Sequence, residues 1–264
     1  MAIKLDTSKL LNPSSSKSTN ITEVSVKNEK EESTPKQPEK KINDITFKEL
    51  KGAKFHHGRS FGKKKPHWIV VHYTAMPGVG AEKCTKSFAT TSREVSTHFF
   101  CDSKEVYRCV DEDHVAWHCG GGQVQQPIKN KKLTNEQLVE YGDKYNWRFK
   151  LAAENHIRWK KEGLDFTGNY DSLSVDICCI KGSKKTQSVV DQDWDFNPKA
   201  VINAAKTVAY LCKKHNIDLN HVIRHGDATG KPCSRPFVSL PGDKDPTLND
   251  RRWLEFKDMI KEYL

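Results

Sequence analysis

The sequence predicts an α/β fold, a mixed central β-sheet flanked by helices and preceded by a disordered N-terminal tail. Three features of the 264-residue chain point there. Short β-branched or aromatic runs alternate with longer stretches whose apolar residues recur at helical spacing, as in a sheet layered with helices. Two of those runs, residues 97–101 and 105–110, are separated only by Asp102-Ser103-Lys104. That is a hairpin signal, so at least one strand pair is antiparallel and the sheet is mixed. The first 41 residues contain no aromatic side chain, many Ser, Thr, Lys and Glu, and prolines at 13, 35 and 38. They cannot bury enough apolar surface to offset their ordering entropy and read as a disordered tail or linker.

Each element follows in order. Residues 42–55 form a short segment expected to dock on the domain edge, and 56–65 are a basic stretch. His67-Trp-Ile-Val-Val-His-Tyr73 is a continuous apolar run, the mark of a buried central strand. Residues 81–91 read as a helix, the hairpin comes next, and Cys119-Gly-Gly-Gly122 is a loop. Residues 133–161 are polar with apolar positions at helical spacing and predict one or two helices. Leu173-Ser-Val-Asp-Ile-Cys-Cys-Ile180 predicts a single strand carrying Asp176. The cleanest amphipathic pattern is 197–214, with Val201, Ala204, Ala205, Val208, Leu211 and Cys212 on one face. Asn197 caps it and Pro198 takes the first helical position. Val222-Ile-Arg-His225 is a short strand, and 250–263 the last helix.

Charge narrows the class of partner. Lys and Arg number 44 against 34 Asp and Glu, a net +10 that suggests an anionic partner. Residues 1–41 contribute +2, residues 42–65 contribute +5, and residues 66–264 only +3. A nucleic-acid enzyme is expected to spread its basic residues over the binding face, and the long C-terminal part is close to neutral. No run of about 18 apolar residues occurs, so no membrane span is expected. The start of the chain lacks the apolar core of a secretory signal peptide. The eight cysteines include adjacent Cys178 and Cys179, and most are expected to be reduced, partly buried thiols made in a cytosol.

Three polar residues sit where strands end and loops begin. His72 closes the first apolar run, His225 closes the Val-Ile run, and Cys233 follows across a Gly-Lys-Pro turn. Two imidazoles and one thiolate are three ligands for a tetrahedral zinc with the fourth position left for water, the catalytic arrangement. Singly, each is more often a satisfied structural residue than a ligand. A zinc-dependent nucleic-acid-binding protein would need paired cysteines at CxxC spacing, and none of the eight form such a pair.

The motifs also occur in a fixed order. They are His72-Tyr-Thr, Val95-Ser-Thr-His-Phe-Phe-Cys-Asp102, Asp113-His-Val-Ala-Trp-His-Cys-Gly-Gly121, Gly168-Asn-Tyr-Asp-Ser-Leu-Ser-Val-Asp-Ile-Cys178 and Arg224-His-Gly-Asp-Ala-Thr-Gly-Lys-Pro-Cys-Ser-Arg-Pro-Phe237. Together they resemble the zinc-dependent N-acetylmuramoyl-L-alanine amidases of type 2, the fold shared with phage endolysins and peptidoglycan recognition proteins. The resemblance runs from about residue 65 to 264 with a break at 123–167. It implies a single catalytic domain, 42–264, with a helical insertion at about 123–167 behind a tail at 1–41. It implies peptidoglycan as substrate and cleavage of the amide between the lactyl group of N-acetylmuramic acid and L-alanine by zinc-activated water.

In that resemblance His72, His225 and Cys233 take the Zn2+ ligand positions, and Lys231 that of a lysine near the scissile carbonyl. Asp176 stands where related endolysins usually carry a glutamate acting as general base, one methylene longer. Thr97 replaces a tyrosine found in some members, so that tyrosine's role does not transfer. His98 and His118 fall on positions that line the cleft without binding metal, or are structural. Tyr141, Tyr145, Trp147 and Trp159 of the insertion either form a wall of the cleft or pack on the domain side. The other reading of the same fold is a non-catalytic peptidoglycan-binding module; such members commonly replace the metal cysteine, which is present here as Cys233. With no signal peptide expected, the protein is expected to be made in the cytoplasm and to act on the wall after release by a holin or lysis. The basic flank 42–65 then points to a teichoic-acid-bearing wall as the polyanion.

Overall fold

The computed structural model describes residues 45–119, 133–145, 147–181 and 188–264, all within one compact unit spanning Lys40–Leu264. The tail expected at 1–41 lies outside the described residues. Phe47–Glu49 (β1) and His57–Ser60 (β2) come first among the described residues. Trp68–Tyr73 (β3) is buried at all six positions, as the apolar run predicts. Ala81–Thr90 (α1), Phe99–Cys101 (β4), Val106–Arg108 (β5) and His114–Ala116 (β6) follow. Two helices, Asn135–Tyr145 (α2) and Trp147–Lys161 (α3), precede Ser172–Ile177 (β7), Cys179–Lys181 (β8) and Trp194–Phe196 (β9). The chain closes with Pro198–His215 (α4), Val222–Arg224 (β10), His225–Thr229 (α5) and Leu248–Lys261 (α6). None of the described helices is long and apolar enough to cross a membrane.

The main sheet has the order β1-β5-β4-β7-β3-β10. β7 runs parallel to both β3 and β4, and β3 parallel to β10, while the hairpin pair β4–β5 is antiparallel. The sheet is therefore mixed, as the hairpin signal requires. The edge segment before the basic stretch supplies β1, parallel to β5.

Alternation along β3 sorts its residues onto two faces. Ile69, Val71 and Tyr73 pack with Leu173, Val175 and Ile177 of β7 against α4 and α6. Trp68 and Val70 face the other way, toward Trp159 of α3 and Ala228 of α5. Phe100 of β4 meets Cys84 of α1. Helices thus cover both faces. In α4, Ala204, Ala205, Val208 and Leu211 are fully buried, each Val or Leu stabilising by about 1.5–3 kcal/mol. Asn197 accepts a hydrogen bond from the Lys199 N–H at 2.9 Å, and Asn216 ends the helix in the left-handed region at φ 54°.

One run behaves differently from its sequence reading. Residues 173–180 were expected as one strand, but pairing changes at Cys178. β7 lies between β3 and β4 only as far as Ile177, where Tyr73 and Cys101 are its last partners. The Cys178 N–H donates to the Cys101 carbonyl at 2.8 Å. From Cys179 the chain pairs antiparallel with β9 in a separate two-stranded sheet. Periodicity cannot show where neighbouring strands run out. Cys178 packs beside α1 and Cys179 on the α4 side, and all eight cysteines are free thiols.

Candidate metal centre and active site

The parallel register of three strands assembles the site. His72 is the fifth residue of β3, on the same face as Trp68 and Val70. In β7 its partner is Asp176, directly across the ladder. In β10 Arg224 pairs with Val71, so His225 comes next to His72 as the strand turns into α5. Their rings lie 4.6 Å apart between centroids.

Cys233 is brought back by the loop after α5. The Gly226 N–H donates to the Cys233 carbonyl. A Cβ at Gly226 would lie 2.7 Å from the Lys231 carbonyl oxygen and 3.0 Å from that of Cys233, so only glycine permits this approach. Gly230 turns the chain at φ +73°, a conformation glycine adopts without a steric penalty. The Cys233 Sγ then stands 3.7 Å from His72 Nδ1. One donor atom from each of His72, His225 and Cys233 falls within 4.8 Å of the others.

The set can hold a metal ion. Donors at about 2.0–2.3 Å from a tetrahedral zinc are roughly 3.4–3.8 Å from one another, and the His72–Cys233 separation lies in that range. His225 Nε2 is buried without a hydrogen-bond partner, which leaves its valence for a ligand. Burial pushes both His72 and His225 well below the ordinary imidazole range. At His72 the proximity of His225 and the charge of Lys231 add to this, and at His225 the charge of Lys231 and the proximity of His118. Both rings are therefore neutral and offer lone pairs. Burial also pushes the Cys233 thiol up to about 12, so this thiol gives up its proton only to a cation.

Asp176 and Lys231 border the cluster. Burial pushes the Asp176 carboxyl up to about 7, with a hydrogen bond from the Thr97 side chain acting in the other direction. Lys231 is close enough for its charge to act on both His72 and His225. All five residues singled out from the sequence are thus gathered at the C-terminal ends of β3, β7 and β10.

The neighbouring residues divide by environment. His98 is fully buried, with Nδ1 3.0 Å from Ser174 Oγ and Nε2 3.0 Å from the His114 carbonyl, and is structural. His118 instead touches His72, its Nδ1 lying 3.1 Å from His72 Nε2. Asn169 Oδ1 accepts from the His118 and Cys119 N–H groups, a contact the sequence reading missed. Trp159 is not a cleft wall: only 4% exposed, it packs 4.9 Å from Trp68 in the core between α3 and the sheet. Tyr141 packs in the α2–α3 cluster, and the Tyr145 side chain lies outside the described residues. Trp147 is 37% exposed and borders a small cavity with Leu151 and Lys231.

Residues 62–236 match the family model described as N-acetylmuramoyl-L-alanine amidase. The chain belongs to this amidase family. Among its amidase relatives is CwlL of Bacillus licheniformis, 28% identical over 65% of this chain and 36% of that protein. BlyA of Bacillus subtilis (strain 168) is 25% identical over 73% of this chain and 40% of its own length. Both are N-acetylmuramoyl-L-alanine amidases by name, and this chain spans well under half of either. The solved structure of PlyL superposes with a TM-score of 0.48 at 22% identity, covering 84% of this chain and 99% of that one.

Proposed function

We propose that this amidase-family domain hydrolyses the amide bond between the lactyl group of N-acetylmuramic acid and the L-alanine of the peptidoglycan stem, with His72, His225 and Cys233 as ligands of a zinc ion. The observation that carries the reading is the convergence of three donor atoms from distant chain segments, with Asp176 in register beside one of them. When bound, zinc supplies a Lewis acid for the amide carbonyl and lowers the pKa of water to about 7.

The chain's own groups do the rest. Asp176 orients the attacking water, accepts its proton and delivers it to the departing alanine nitrogen, which leaves poorly until protonated. Its displaced pKa suits both halves of that task. The Lys231 ammonium, beside the ligands, stabilises the oxygen that gains charge as the carbonyl becomes tetrahedral. We place this activity in residues 42–264, with 1–41 as a linker or tail, and the substrate in the wall, reached on release by a holin or lysis. Digestion of purified peptidoglycan followed by mass spectrometry tests the reaction. Free L-alanine amino termini without new reducing sugars are expected, and new reducing ends would show a glycosidase instead.

A further inference from the structure

His118 donates nothing to the three-ligand cluster, yet its ring is locked against it. His118 Nε2 faces two oxygens of one residue, Ser172 Oγ at 3.2 Å and the Ser172 carbonyl at 3.4 Å. The carbonyl can only accept. The Ser172 hydroxyl has a single proton, and it is given to the Gly168 carbonyl at 2.6 Å. Both oxygens therefore accept, so Nε2 of neutral His118 carries the hydrogen and Nδ1 is bare. That bare nitrogen lies 3.1 Å from His72 Nε2, which must then be the protonated nitrogen of His72. The remaining lone pair of His72 is on Nδ1, the atom 3.7 Å from Cys233 Sγ. The ring centroids are 5.2 Å apart, a separation compatible with an N–H···N bond made edge to edge through the two facing nitrogens.

We propose that His118 is a positioning residue that fixes the tautomer of His72, through a chain running from the Gly168 carbonyl by way of Ser172 and His118 to His72, so that Nδ1 is presented to the metal. The role rests on the zinc-site reading above. Its physical basis is that a hydrogen-bond acceptor on the distal nitrogen of a metal-ligating histidine fixes the ring and increases its basicity, and loss of such a partner weakens metal binding by about 10- to 100-fold. Asn169 holds the backbone that carries the ring through the His118 and Cys119 N–H groups.

Two measurements test this. Nitrogen-15 NMR of the metal-free wild-type protein reads the tautomer directly and does not depend on whether zinc binds. His72 protonated on Nε2 and His118 protonated on Nε2 are expected, whereas His72 protonated on Nδ1 overturns the proposal. Zinc affinity is then measured by competition with a chelator. His118→Phe keeps an aromatic ring but removes the acceptor, and is expected to weaken zinc binding by about 10- to 100-fold. His118→Asn places an amide oxygen near the former Nδ1 and is expected to restore affinity toward wild type. Wild-type affinity in His118→Phe, or equal losses in both variants, overturns the role. Failure of the wild-type protein to bind zinc at all counts against the zinc-site reading and leaves the tautomer result standing.

Discussion

Replacing Asp176 by Asn should stabilise the metal-free protein at pH 8 and do so less and less as the pH falls. Burial moves the Asp176 carboxyl from its ordinary 3.8 to about 7 in the folded state. In the unfolded chain it ionises near 4, so between about pH 4 and 7 the folded state holds the extra proton, and stability falls as pH rises through that window. A displacement of that size costs roughly 4 kcal/mol once both states are ionised, and the partial solvent contact of Asp176 reduces it to about 2–4 kcal/mol. Asn carries no charge and escapes this loss. His72, His118 and His225, kept neutral by burial, make both proteins less stable in acid and cancel in the difference. Urea unfolding of the two metal-free proteins between pH 4.5 and 8 measures it. A difference that does not grow with pH would refute the claim that burial of an ionised Asp176 is costly. The same variant should retain zinc and lose most of its turnover, so stability and activity move in opposite directions.

Cys233→Ser should remove both zinc, measured by elemental analysis of the purified protein, and hydrolysis of the wall; turnover persisting in metal-free variant would contradict a zinc mechanism. Gly230→Ala forces a Cβ onto a residue at φ +73° and to within 2.8 Å of the Arg148 carbonyl oxygen. A loss of at least about 2 kcal/mol in chemical denaturation is expected, since α3 must withdraw from α5. Deleting residues 1–41 should leave turnover on soluble muropeptides unchanged; a collapse would show that the tail belongs to the catalytic unit.

How much of this was legible in the sequence follows from the kind of information each feature needs. The β3 strand was readable from its continuous apolar run, α4 from its helical periodicity, and the cap of α4 from the pair Asn197-Pro198. The end of β7 was not, because it is set by where β3 and β4 stop. The grouping of His72, His225 and Cys233 in space was legible through ordered motifs rather than through any single residue. The contact between His118 and His72 depends on the rotation of two side chains 46 positions apart, which no spacing encodes. The Gly in the dipeptide Thr229-Gly230 did signal a turn, but not that α3 would lie against it. Trp159 and Trp147 are twelve positions apart on the same helix and could not be told apart by composition: one closes the core against Trp68, the other remains at the surface near Lys231.

The core and the site are specified by the same pairing. His72 faces Asp176 only because Ile69, Val71 and Tyr73 occupy the α4 side of the sheet opposite Leu173, Val175 and Ile177. A slip of β3 by one residue against β7 would turn all three apolar side chains away from α4 and, with them, turn His72 into the core. The slip would break the fitted packing on both buried faces, that of these side chains with α4 and that of Trp68 and Val70 with α3 and α5, and would press the His72 imidazole into an apolar core where it has no polar partner. Packing therefore holds His72 and Asp176 side by side before a ligand arrives, and the buried, neutral histidines that result are the form a cation requires.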